Sequence, residues 1–175
     1  MLSKLIEHNN WANLRLIEAC LELRNEQLDA TPLPTSQWSI RRTLIHLASS
    51  QQGYLSLLTL PVKKRQDPSL TWEEVQVSVQ QSGTGLLALT LDPARIADTK
   101  IQTMDGYLVE PWVVIVQVVT HAAEHRQQVS RMLRILDVAA PKLDAWTFGE
   151  VTNALVPHAL PVNNAETTND AEPLS

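Results

Sequence analysis

One cysteine in 175 residues, Cys20, leaves no partner for a disulfide and no second thiolate for a sulfur-ligated metal cluster. Glycine is scarce as well. Five glycines are too few to punctuate a many-turned β fold, so long helices are expected. No stretch reaches the roughly 20 apolar residues of a membrane span. The opening Met1-Leu-Ser-Lys4 runs at once into Glu7, His8 and two asparagines, without the roughly 7–15-residue apolar core of a secretion signal. A cytoplasmic protein with no membrane contact is therefore expected. A formal net charge of −5 argues against the basic patch of a nucleic-acid binder. Three of those charges, Glu166, Asp170 and Glu172, fall in residues 157–175, which contain no Lys or Arg, so the body is close to neutral.

What remains is enough chain for one domain with a proper core. Residues 1–156 are read as that domain, and residues 157–175 as a disordered acidic tail. Four helical segments can be placed. The first covers about residues 2–23 and stops before Asn25 and the prolines Pro32 and Pro34. The second, about residues 39–58, opens on Ser39 as N-cap. The third starts at the capping box Thr71-Trp-Glu-Glu74 and runs to about Leu91, weakened by Gly83 and Gly85. Asp105-Gly106, flanked by β-formers, signals a short hairpin. Pro111 then suits the first turn of a fourth helix ending near Leu136 to Val138. The segment from Leu143 to Gly149 is expected to pack back on the body.

The chemistry concentrates in the fourth helix. His121 and His125 are four residues apart, and at about 100° per residue both imidazoles point the same way and can reach one ion. The preceding run, Pro111 to Thr120, is apolar nearly all round, which reads as a buried helix. Gln117, His121, His125 and Gln128 then form a polar stripe that needs hydrogen-bonding or metal partners. His46 lies on the flank of the second helix, about 120° from its apolar centre, and on local grounds is an interface residue before it is a ligand. Glu124 is read as a surface carboxylate, with a general base as the other possibility. Cys20 shares the apolar side of the first helix and reads as a small core residue.

Two placements in the first helix are costly unless answered. Asn9 and Asn13 fall within its apolar stripe, either lining a polar cavity around the histidines or bonded to nearby backbone. Trp11 falls among Lys4, Glu7, Arg15 and Glu22 on the charged face. A large aromatic there meets either a partner molecule or a chain segment folded over it.

Taken together, Asn10-Trp-Ala-Asn13, Ser39-Ile-Arg-Arg-Thr-Leu-Ile-His46, Asp105-Gly-Tyr107 before Pro111-Trp112, His121-Ala-Ala-Glu-His-Arg-Gln-Gln-Val129 and Asp144-Ala-Trp-Thr-Phe-Gly149 resemble the DinB-like superfamily of helical metalloenzymes, over about residues 1–150. This is the damage-inducible helical family and not the DNA polymerase sometimes given the same name. The resemblance implies an all-α fold, an up-down-down-up four-helix bundle with a short hairpin-like connection before the last long helix. It also implies a homodimer and one divalent ion of the nickel or zinc type, held by His46, His121 and His125. Relatives with known activities are thiol-dependent transferases or isomerases, which implies a low-molecular-weight thiol such as bacillithiol or mycothiol and a small-molecule substrate. The leading reading is a metal-dependent transferase or hydrolase. A peptidase of the His-x-x-Glu-His type also matches residues 121–125, but an all-helical body offers no sheet edge for an extended peptide. The reading from another class is a catalytically silent stress-response or binding protein whose ion only pins two helices together.

Overall fold

The structure is a computed structural model that describes residues 1–33, 38–96 and 99–158. Helix α1 spans Leu2–Leu21 and buries Ile6, Asn9, Ala12, Asn13, Leu16, Ile17 and Cys20, a stripe at helical spacing. A five-residue helix, α2 (Asn25–Asp29), follows where only a loop was expected. It forms because Leu28 reaches the core and because Arg41 donates to both Asp29 and Asn25, tying it to the next helix. Helix α3 (Ile40–Thr59) starts as predicted, with Ser39 Oγ accepting from the Arg42 N–H at 3.2 Å.

Helix α4 spans Val75–Leu91, so it begins directly after the expected capping box and four residues after Thr71. Only half of that box forms. Glu74 Oε2 accepts from the Thr71 N–H at 2.8 Å, while a turn occupies residues 72–74 and the Thr71 hydroxyl bonds to the Glu73 carboxylate instead. The two helix-weakening glycines have a packing reason. A Cβ on Gly83 would lie 2.8 Å from the Asn10 side chain, and one on Gly85 would lie 2.6 Å from Leu55, so their absence lets α1 and α3 close on α4.

The hairpin is present: β1 (Ile101–Gln102) pairs antiparallel with β2 (Leu108–Val109), turning through Gly106 at a φ of 94°. Helix α5 (Pro111–Ile135) carries Pro111 in its first turn. Its N-terminal half is not buried all round. Pro111, Val114 and Val118 face the core, whereas Trp112 and Val116 are 63% and 51% exposed, because only one side of the helix meets its neighbours. A last short helix, α6 (Ala145–Val151), is capped by Asp144, whose carboxylate accepts from the N–H groups of Trp146 and Thr147. Beyond residue 158 the expected acidic tail lies outside the described residues.

The chain is thus mostly helical, with a minimal two-stranded sheet. Each long helix packs on two others: α1 and α3 both contact α4 and α5. None of the helices described is long and apolar enough to cross a membrane. The core falls into two clusters. One contains Leu16, Ile17, Leu44, Val79, Val129 and Leu133; the other contains Ile6, Leu58, Leu86, Val114 and Val118. Along every long helix the residues between the two clusters include a buried polar one: Asn9 and Asn13 on α1, Gln51 on α3, Ser82 on α4 and Arg126 on α5.

Trp11 is met by a segment of its own chain. Its ring packs 5.3 Å from Phe148 of α6 and 5.9 Å from His8, and His8 Nε2 donates to the Leu143 carbonyl at 2.9 Å. The returning segment therefore covers Trp11 within the same chain. Trp11→Ala is expected to lower the unfolding free energy by about 1–3 kcal/mol and to leave the sedimentation mass unchanged. A changed mass with unaltered stability would give the ring back to an intermolecular contact.

Candidate metal centre

Helices α3 and α5 lie side by side, and their packing turns the flank of α3 that carries His46 toward the stripe of α5 that carries His121 and His125. The three ring nitrogens converge. His121 Nε2 stands 3.1 Å from His46 Nε2 and 3.1 Å from His125 Nε2, and one nitrogen from each ring lies within 4.8 Å of the other two. Nitrogens bound to a common ion at about 2.0–2.1 Å, with angles between a right angle and the tetrahedral value, are about 2.8–3.4 Å apart. Both separations from His121 Nε2 fall in that window. Hydrogen bonding explains the cluster less well, because His121 Nε2 has two nitrogen neighbours and only one proton or one lone pair to offer them.

The surroundings orient the rings. His125 Nδ1 donates to Gln128 Oε1 at 3.1 Å, which assigns the proton to Nδ1 and leaves the Nε2 lone pair directed into the cluster. Trp38, just ahead of the α3 cap, stands edge-on to His46 at 4.8 Å and lies parallel to His125 at 6.0 Å. Tyr54, one turn beyond Ser50, meets His121 edge-on at 5.7 Å and bonds to the Gln117 side chain. Ser50 Oγ lies 3.5 Å from His46 Nε2. Ser50 and Tyr54 also wall a cavity of about 420 Å³ bounded across from α3 by Asp67, Thr103 and Met104.

All three histidines are half-buried. Burial, reinforced by the other two imidazoles, lowers His121 to about 4, and burial with the His125 charge lowers His46 as well. Both therefore present neutral rings at pH 7, the form that ligates metal. Among the described residues the group contains no fourth His, Cys, Asp or Glu. Glu124 is exposed on the outer side of α5, as expected of a surface carboxylate; its charge is felt by the Tyr54 hydroxyl. Cys20 is fully buried, and burial raises its thiol to about 12, so it is inert packing.

The two inward asparagines do not surround the histidines. Asn9 Oδ1 and Asn13 Oδ1 accept from Arg126 Nη1 at 2.8 and 2.6 Å. Asn13 Nδ2 donates to Gln51 Oε1 at 2.8 Å, and Gln51 Nε2 donates to the Val79 carbonyl and to Ser82 Oγ. Burial lowers Arg126 to about 10, which still leaves it a cation at neutral pH. Arg126 and Trp38 are the residues that sequence reasoning missed. The first had a signal: a cation falls in the buried stripe Val118, Ala122, Arg126, Val129 just as two asparagines fall in that of α1.

Comparison with known proteins bears on the family and the fold. The DinB family model matches residues 1–159. A crystal structure of a DinB family member from Exiguobacterium sibiricum superposes with a TM-score of 0.58 at 17% identity, over 78% of this chain and 92% of that one. At that identity the likeness speaks for the fold alone. No curated protein matches the chain.

The lowered histidines make the metal-free protein acid-sensitive. An unfolded imidazole protonates near 6.5, whereas folded His121 resists until about 4. Between those values the unfolded chain binds more protons, so stability is full above about 6.5 and is lost as pH falls toward 4. Chelator-treated protein should show that decline in thermal melts, and His121→Gln should flatten it. An equal slope in both proteins would contradict the assignment.

Proposed function

The chain belongs to the DinB family, and on that premise we propose that it is a cytoplasmic metal-dependent enzyme, a transferase or hydrolase of small molecules. His46, His121 and His125 would hold one divalent ion of the nickel or zinc type, within an up-down-down-up four-helix bundle formed by α1, α3, α4 and α5. A homodimer belongs to the same reading, without Trp11 as its anchor. The observation that carries the proposal is the donor set: three converging imidazole nitrogens, two pairs of them 3.1 Å apart, and no fourth His, Cys, Asp or Glu in the group among the described residues. Structural sites are closed by four protein ligands, whereas catalytic ones keep a position open.

When bound, such an ion acts as a Lewis acid that makes a water or a low-molecular-weight thiol acidic enough to attack an electrophile at neutral pH. The chain's own residues supply the rest. Gln128 holds His125 in the tautomer that presents Nε2. Trp38 covers His46 and His125 and limits solvent on that side. Ser50 and Tyr54 border both the cluster and the 420 Å³ cavity, which gives a small substrate a place beside the histidines but is too small for a folded partner. Since the only strands described are two residues long, a peptide has no sheet edge to add to, and the peptidase reading is set aside.

Elemental analysis of purified protein should find one divalent ion per chain, and His125→Ala should abolish it. An ion retained stoichiometrically in that variant would overturn the ligand assignment. Metal-loaded wild type should conjugate a thiol to a small electrophile or hydrolyse an activated ester, and lose this with His46→Ala. Stoichiometric metal without any such turnover would favour the silent, structural role.

A further inference from the structure

On the opposite flank of α5 from the histidines lies a second cavity, of about 430 Å³, between α5 and the segment that returns over α1. Arg126, Ser130 and Arg134 line it from α5; Lys142, Leu143 and Asp144 line it from the returning segment. Three of these residues are cations and one is an acid. The acid is already engaged, because the Asp144 carboxylate caps α6 through Trp146, Thr147 and the Thr147 hydroxyl. Arg134 and Lys142 are exposed, and no ion pair joins them or Arg126 to a carboxylate among the described residues.

The imbalance is sharpest at Arg126, which is 7% exposed. A buried cation normally has an anionic partner, since desolvating a lone charge is costly. Arg126 has two amide oxygens, both on Nη1, and no carboxylate among the described residues, and the residue lines the cavity. Positive charge is in surplus on a cavity with room for a small molecule: three cations face it against one carboxylate that is already engaged in a cap. His8 pins the Leu143 carbonyl, so the far wall is held in place.

We infer that this cavity binds a small molecule through an oxyanion group, a phosphate or a carboxylate, received by Arg126, Arg134 and Lys142. Planar guanidinium groups match both oxyanions in bidentate geometry, and the lysine adds a mobile third charge. The site is separate from the histidine cluster and does not depend on a metal.

Isothermal titration of the full chain with inorganic phosphate and with malonate, in chloride buffer of matched ionic strength, tests this. Saturable binding of one or both anions is expected. The double variant Arg134→Gln/Lys142→Gln alters only exposed side chains and should fold normally by circular dichroism, yet bind at least about tenfold more weakly. Binding of phosphate alone would assign a phosphorylated ligand, and binding of malonate alone a carboxylated one. Absence of binding to either anion, or undiminished binding by the double variant, would overturn the inference.

Discussion

One buried chain of hydrogen bonds, started by a single guanidinium, links the four long helices. From Arg126 on α5 the hydrogen bonds run to Asn9 and Asn13 on α1, from Asn13 to Gln51 on α3, and from Gln51 to Val79 and Ser82 on α4. Apolar helix faces tolerate sliding by a turn with modest loss, since area burial is non-directional. A buried cation does not, because a slipped register would strand it without acceptors at a cost of several kcal/mol. The layer separates the two hydrophobic clusters and makes one alignment of the helices cheaper than its neighbours.

That alignment is what assembles the histidine cluster. Arg126 follows His125 directly, so fixing the guanidinium against α1 fixes the rotation of α5 and sends His121 and His125 to the other flank, toward α3. Gln51 lies five residues after His46 on α3, and its bonds to Asn13 and α4 set the height at which His46 meets the pair. The polar layer and the histidine cluster therefore occupy one level of the fold. The three histidines make no direct hydrogen bond to α1 or α4 among the described residues, so those helices act on them through Arg126 and Gln51. The surplus of positive charge at the layer is the same feature that opens toward the second cavity.

Much of this was legible where a local signal had a local cause. Ser39 as a cap, Pro111 in a first turn, the Asp105-Gly106 hairpin and the i, i+4 histidine pair all follow from chemistry within a few residues, and each appears in the fold. His46 was different. Its flank position is decisive only once α5 is known to lie beside it, and it came through family resemblance. Asn9, Asn13 and Arg126 were each visible as polar residues in apolar stripes, but pairing them requires knowing that α1 and α5 touch across more than a hundred residues. Trp11 had two possible covers, and packing by Phe148 decided between them. The capping box at Thr71 failed for a nearer reason, since Glu73 competes for the threonine hydroxyl.

X-ray absorption at the metal edge of stoichiometrically loaded wild-type protein tests the central claim, an open three-imidazole centre, without any substitution. Three imidazole nitrogens at about 2.0–2.1 Å, with at least one further light ligand that exchanges with added thiol or azide, is the predicted result. Fewer than three imidazoles, or a sphere filled entirely by protein ligands and unresponsive to added anion, would contradict it.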